Sequence, residues 1–117
     1  MGAGNFVKDN CRVIPTRLTT TAATVVYTAI GYSHVVGVRI VNYHASNTPV
    51  VGFQYKTVAD GVAYNFQSNY TIPVAGALWF AFDAFGIYAG DQLLVTSSIA
   101  NCVDVFVLIA EIPGRSQ

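Results

Sequence analysis

Two histidines, two cysteines and six carboxylates carry most of the acid–base, nucleophilic or metal chemistry open to this chain of 117 residues. His34 and His44 stand ten positions apart, so neither His-x-His nor His-x-x-x-His spacing brings two imidazoles to one metal. A site made from Cys11, Cys102, His34 and His44 would have to be assembled by the fold alone. The carboxylates are Asp9, Asp60, Asp83, Asp91, Asp104 and Glu111. Asp60 precedes Gly61 and Asp91 follows Gly90, and at such turns Asp has a structural task, hydrogen bonding to the backbone beyond it. Asp83 and Asp104 fall in strand-like runs where each could pair across a sheet, and Arg39 is the natural partner for one of them on an outer face. There is no Gly-rich phosphate loop, no nucleophile elbow and no Ser/His/Asp order. The expectation is a protein with no catalytic residue, no cofactor and no metal, hence no enzyme.

Charged residues make up 10% of the chain, against about 25% in a typical soluble domain, while 53% is apolar. Such a chain must cover itself with uncharged polar groups or with other copies of itself. The net charge is zero, and Lys8, Arg12, Arg17, Arg39, Lys56 and Arg115 are scattered. That pattern gives no electrostatic footprint for nucleic acid or an anionic membrane, and it leaves self-association unopposed. No apolar run reaches the roughly 18 residues of a membrane span, and residues 1–10 lack the apolar centre of a secretory signal. A cytoplasmic origin follows, in which both cysteines are expected to be free thiols and not one disulfide.

The elements that hold these residues read as strands. Ile87-Tyr88-Ala89-Gly90-Asp91 is a strand end and tight turn, followed by two alternating runs at residues 92–98 and 102–111 and a stop at Pro113. Upstream, Val36, Val38 and Ile40 share one face of a β-branched run, with Gly37, Arg39 and Val41 on the other. In residues 22–29, Thr24, Val26 and Thr28 face one way and Val25 and Tyr27 the other. Asp60-Gly61 gives a hairpin signal between two further alternating runs. The total is about eight short strands and no sustained helical period. The expected fold is all-β: a single-domain, two-sheet β-sandwich of jelly-roll type, with an immunoglobulin-like sandwich as alternative. The immunoglobulin Cys, Trp and Cys spacing is absent. Residues 1–21 read as an N-terminal arm, with a short edge strand at residues 12–18 interrupted by Pro15, residues 22–113 as the sandwich and 114–117 as a tail.

Two runs are apolar on both faces. Phe106, Leu108 and Ala110 lie beside Asp104 and opposite Val103, Val105, Val107 and Ile109, and Trp79 and Phe85 lie opposite Leu78, Phe80 and Phe82. A two-layer sandwich buries one face of each sheet, so the surplus face is expected to meet a neighbouring subunit. Phe106, Leu108, Asp104, Trp79, Phe85 and Arg39 are the candidate interface residues, with Phe106 and Leu108 ahead of Asp91 as places to test. The fifteen aromatics also allow a carbohydrate-binding module with Trp79, Tyr43, Tyr70 or Tyr88 as stacking platform.

The succession Val26-Tyr27-Thr28, Val36 with Val38-Arg39-Ile40-Val41-Asn42, Ile72-Pro73, Ala89-Gly90-Asp91-Gln92-Leu93, Val103-Asp104-Val105 and Glu111-Ile112-Pro113 resembles the small β-sandwich virion proteins of tailed bacteriophages. The likeness spans about residues 22–113. One departure is Ala29-Ile30-Gly31, where such sequences usually read Pro-Ala-Gly. The resemblance implies a structural virion role: a capsid cement (decoration) protein, assembled as a homotrimer on the major capsid protein, or a neck, tail or head-fibre subunit. It also implies an arm that crosses a neighbouring capsid subunit, for which Phe6, Val7, Lys8, Arg12 and Arg17 are the candidate contacts.

Overall fold

A computed structural model describes residues 11–111, apart from the side chains of residues 80–84. Eight strands form among the described residues: β1 Cys11–Leu18, β2 Thr24–Thr28, β3 Ser33–Asn42, β4 Val50–Lys56, β5 Ala63–Thr71, β6 Ala77–Ile87, β7 Gln92–Ser97 and β8 Val103–Glu111. They make two antiparallel sheets, ordered β1-β8-β3-β6 and β2-β7-β4-β5. The logic of that order is a single long hairpin. Each strand of the first half pairs with its counterpart in the second, β4 with β5, β3 with β6, β2 with β7 and β1 with β8. The doubled ribbon then rolls up, adding the β3–β8 and β4–β7 ladders. This is the jelly roll. Only β4 and β5 are sequence neighbours lying side by side, whereas the immunoglobulin arrangement places several consecutive strands together, so that alternative is excluded.

The hairpin tip is the Asp-Gly turn. Gly61 takes φ +67°, open to glycine at little cost, and its N–H reaches the Thr57 carbonyl at 2.9 Å. Asp60 Oδ1 accepts the Val62 N–H (3.0 Å) and the Thr57 hydroxyl (2.9 Å), while Oδ2 accepts the Tyr64 hydroxyl (2.7 Å). Between the sheets lies one contiguous core, in which Leu18, Ile40, Phe53, Leu93, Val105 and Ile109 are completely buried.

Three local readings change. First, residues 11–18 are not arm. They pair along their whole length with β8, and Leu18 is core, so the sandwich begins at Cys11 and not at residue 22. Pro15 does sit on an edge strand, where its missing N–H costs no ladder bond. Second, bulges reset the strand phase. The register slips between Val35 and Gly37, so Val35 joins Val38 and Ile40 in the core and Val36 does not. A slip between Val25 and Tyr27 turns Val26 and Tyr27 both inward. Third, the β3–β6 register moves from Val35↔Phe85 to Gly37↔Ala81, two residues on β3 against four on β6. Phe85 therefore shares the inner phase with Val35, not the outer face of Trp79.

Each end of the sandwich is fastened by one buried polar side chain. At one end Asp91 accepts the Tyr55 hydroxyl (2.9 Å), the Val58 N–H (3.1 Å) and the Tyr88 N–H (3.0 Å). That ties the β6–β7 corner to β4 and to the hairpin tip. Burial, then the Asp91 bond, pushes the Tyr55 phenol up to about 12. At the other end Asn42 Nδ2 donates to the carbonyls of Asn47, Ile72 and Pro73, and its Oδ1 accepts the His44 N–H.

Candidate interaction surface

The four strands of the β1-β8-β3-β6 sheet bring their outward residues into register. One row runs Pro15, Phe106, Arg39, Trp79; the next runs Arg17, Asp104, Val41, Ala77; a third runs Val13, Leu108, Gly37. Residues directly opposite on one face of a sheet have Cβ atoms about 4.5–5.5 Å apart, so these rows form a continuous surface. Trp79 is 46% exposed and Val13 is 54% exposed. Five of the six interface candidates, Phe106, Leu108, Asp104, Trp79 and Arg39, thus share one outer face. Phe85 does not: it packs toward the core, with its ring 5.3 Å from Phe66 and 6.2 Å from Tyr55. The missed members are Val13 and Pro15, which enter only because β1 is a full strand.

Two of the arm candidates are also reassigned. Arg17 forms a two-pronged ion pair with Asp104 (2.7 and 2.9 Å), and its guanidinium lies 4.2 Å from the Tyr43 ring centroid. Arg12 does the same with Glu111 (3.0 and 3.1 Å). Both are directed at β8 of their own chain, which stitches the edge strand to the sheet. Phe6, Val7 and Lys8 lie outside the described residues. Of the two carboxylates expected to face Arg39, Asp104 is taken by Arg17, and the Asp83 side chain lies outside the described residues; among the described residues Arg39 has no ion pair. A shallow depression of about 240 Å³ adjoins the row, lined by Pro15, Thr16, Arg17, Asp104 and Phe106.

The remaining chemical groups have local partners. His44 Nδ1 accepts the N–H groups of Ser46 and Asn47, folding the β3–β4 loop on itself. His34 stands on β3 against Tyr32, ring centroids 5.2 Å apart. Cys11 and Cys102 are free thiols, the second in the core. No group of three His, Cys, Asp or Glu side chains gathers among the described residues in a way that could hold a metal ion. The four aromatics of a sugar platform are dispersed: Trp79 lies on the outer face, Tyr43 under Arg17, Tyr88 against Tyr32, and Tyr70 on β5 of the other sheet.

Tyr27, Ser33, Arg12 and Glu111 form a small network where the sheets meet at the β1 and β2 edges. The Tyr27 hydroxyl lies 2.8 Å from Glu111 Oε2 and 3.2 Å from Ser33 Oγ. The Arg12 guanidinium, then the Tyr27 hydroxyl, hold the Glu111 carboxyl below its usual range against the effect of burial. A depressed carboxyl stabilises the fold fully above its unfolded pKa, near the ordinary 4.5, and the gain disappears as pH falls through the lower folded value. Glu111→Gln should therefore cost about 1 kcal/mol at neutral pH, and progressively less as pH falls below the unfolded value and through the lower folded one. Thermal unfolding followed across pH 2–7 checks it: parallel curves for the two proteins would refute the assignment.

No protein-family model and no curated protein matches this chain.

Proposed function

We propose that this protein is a structural subunit of a tailed-phage virion, most simply a capsid cement protein that assembles as a homotrimer and staples neighbouring major capsid subunits without covalent bonds. The observation that carries the reading is the outer face of the β1-β8-β3-β6 sheet. Val13, Pro15, Phe106, Leu108 and Trp79 stand there with an Arg39 that has no ion pair among the described residues. Trp and Arg are the side chains that most often dominate protein interfaces, and a chain with so few charges has little else with which to hold such a face in water. The likeness to phage sandwich proteins supports the same role, one that needs no catalytic group. Its working principle is addition: apolar area buried at every repeated contact stabilises the shell by binding only its assembled state.

Two measurements test it. Light scattering after size exclusion is expected to give three copies of the 12.5-kDa chain, with Trp79→Ala and Phe106→Ala each weakening assembly about tenfold; a stable monomer at micromolar concentration counts against the reading. Cryo-microscopy of purified particles is expected to show the protein coating the shell. Density at a single vertex would make it a neck or tail subunit, and absence from particles would end the virion reading.

A carbohydrate-binding reading has one observation in its favour. A polar depression on the other sheet is lined by the uncharged side chains of Asn65, Gln67, Asn69 and Thr96 above Gly52. A glycan array tests it directly, with loss of signal on Asn65→Ala as the specificity control.

A further inference from the structure

Resting on the homo-oligomer reading, the charge inventory says which surfaces of two copies meet. Among the described residues Arg12 and Arg17 are paired with Glu111 and Asp104, and Asp91 is buried. Of the carboxylates whose side chains are described, that leaves Asp60 exposed with no cation, and it leaves Arg39 as the cation at the centre of the apolar face. Lys56 also has no ion pair there, but it stands on the outer phase of β4 beside Gln92, opposite in phase to the Tyr55–Tyr64 pair beside which Asp60 lies. Asp60 sits at the hairpin tip among exposed apolar side chains, with Val58, Val62 and Tyr64 at 69%, 47% and 52% accessible.

We infer that copies of this chain associate tip to face, the β4–β5 tip of one copy seating Asp60 against Arg39 of the next, with Val58, Val62 and Tyr64 over Trp79 and Phe106. Three features favour this arrangement. The two surfaces are complementary in charge and alike in apolar character, as the centre and flanks of a specific interface should be. The tip is already ordered by the three bonds that Asp60 accepts within its own turn, so little freedom is lost on docking. A face-to-face contact about a two-fold axis near Arg39 would set like charges against each other. Tip and face are different surfaces, and a contact between different surfaces closes into a ring when the rotation allows it. A trimer is such a ring.

The test is a charge exchange followed by sedimentation equilibrium. Arg39→Glu, an exposed change on a sheet surface, should raise the dissociation constant about tenfold or more. Asp60→Asn keeps the acceptor oxygen that the Val62 N–H and the Thr57 hydroxyl use, so the tip stays folded. It should weaken assembly and flatten its dependence on salt. Combining Arg39→Glu with Asp60→Arg should recover most of the lost affinity. The contact is refuted if Asp60→Asn leaves both affinity and salt dependence unchanged, or if the combined variant, folded by circular dichroism, assembles no better than Arg39→Glu alone. An oligomer indifferent to both positions removes only this contact; a monomeric wild-type chain removes the homo-oligomer reading with it.

Discussion

Asp91→Ala is expected to destabilise the fold by about 3–5 kcal/mol, lowering the midpoint of thermal unfolding by more than ten degrees, roughly, for a domain of this size. The carboxylate is 3% exposed and accepts three hydrogen bonds, from the Tyr55 hydroxyl and the Val58 and Tyr88 N–H groups. Truncation strips all three donors of their partner, and an unpaired buried donor costs about 1–3 kcal/mol. The backbone sets part of this geometry without the side chain: Gly90 adopts φ +90°, and Ala29 exchanges hydrogen bonds with Gly90 and Asp91 across the corner. Asp91→Asn keeps one acceptor oxygen but places an NH₂ among donors, so an intermediate loss is expected. Urea unfolding of the three proteins gives the order wild type, Asn, Ala. A corner whose Ala variant unfolds within 1 kcal/mol of wild type would show that the turn is held by its backbone alone.

Alternation was legible because a sandwich buries one face of each strand. The patterns of β4 and β8, with Val51 and Phe53, and with Val103, Val105, Val107 and Ile109, state their inner faces without ambiguity. What period-two reading cannot find is a bulge, since one extra residue inverts the phase of all that follows. Phe85, Val36 and Tyr27 were all misplaced for this reason. The glycines at 37 and 86 mark the irregular stretch of the β3–β6 ladder, and glycine inside a strand is the available warning. Edge strand β1 was undervalued for a different reason. Its inner phase is Arg12, Ile14, Thr16 and Leu18, of which Arg12 and Thr16 are polar because an edge is only half covered. The candidate interface residues were legible as a surplus of apolar faces. Their order across the sheet was not, because cross-strand register depends on pairings between β1, β3, β6 and β8 that are far apart in sequence.

The two signatures that suggested a family, Arg-Ile-Val-Asn and Ala-Gly-Asp, end on the residues that fasten opposite ends of the sandwich, Asn42 and Asp91. Each lets a short loop be replaced by a side chain acting as a bracket. They fix the corners of the rolled hairpin, while the contacts proposed for its outer faces rest on the residues of the β1-β8-β3-β6 sheet.

For Asn42 that role leads to a result with a distinctive pH dependence. Its Nδ2 lies 2.8, 3.2 and 3.1 Å from the carbonyls of Asn47, Ile72 and Pro73, and its Oδ1 3.0 Å from the His44 N–H. The side chain is essentially buried. Asn42→Ala orphans these partners and should cost about 3 kcal/mol, equally at every pH. Asn42→Asp places a carboxylate oxygen against carbonyl oxygens, so the folded state can hold it comfortably only when protonated, donating to one of them. Its folded pKa then lies above the unfolded value of about 3.9. A carboxyl raised in this way destabilises above the unfolded pKa, by about 1.4 kcal/mol for each pH unit until the folded pKa is reached. At pH 7 the Asp variant should therefore lose about 4 kcal/mol or more and be weaker than the Ala variant. Toward pH 4 the order should approach equality or invert, since the protonated acid recovers one of the three donor bonds. Denaturant unfolding of both variants at pH 7 and pH 4.5 decides it. An Asp variant whose deficit is the same at both values would mean that water reaches position 42 and that the loops at residues 43–49 and 72–76 are held by other bonds.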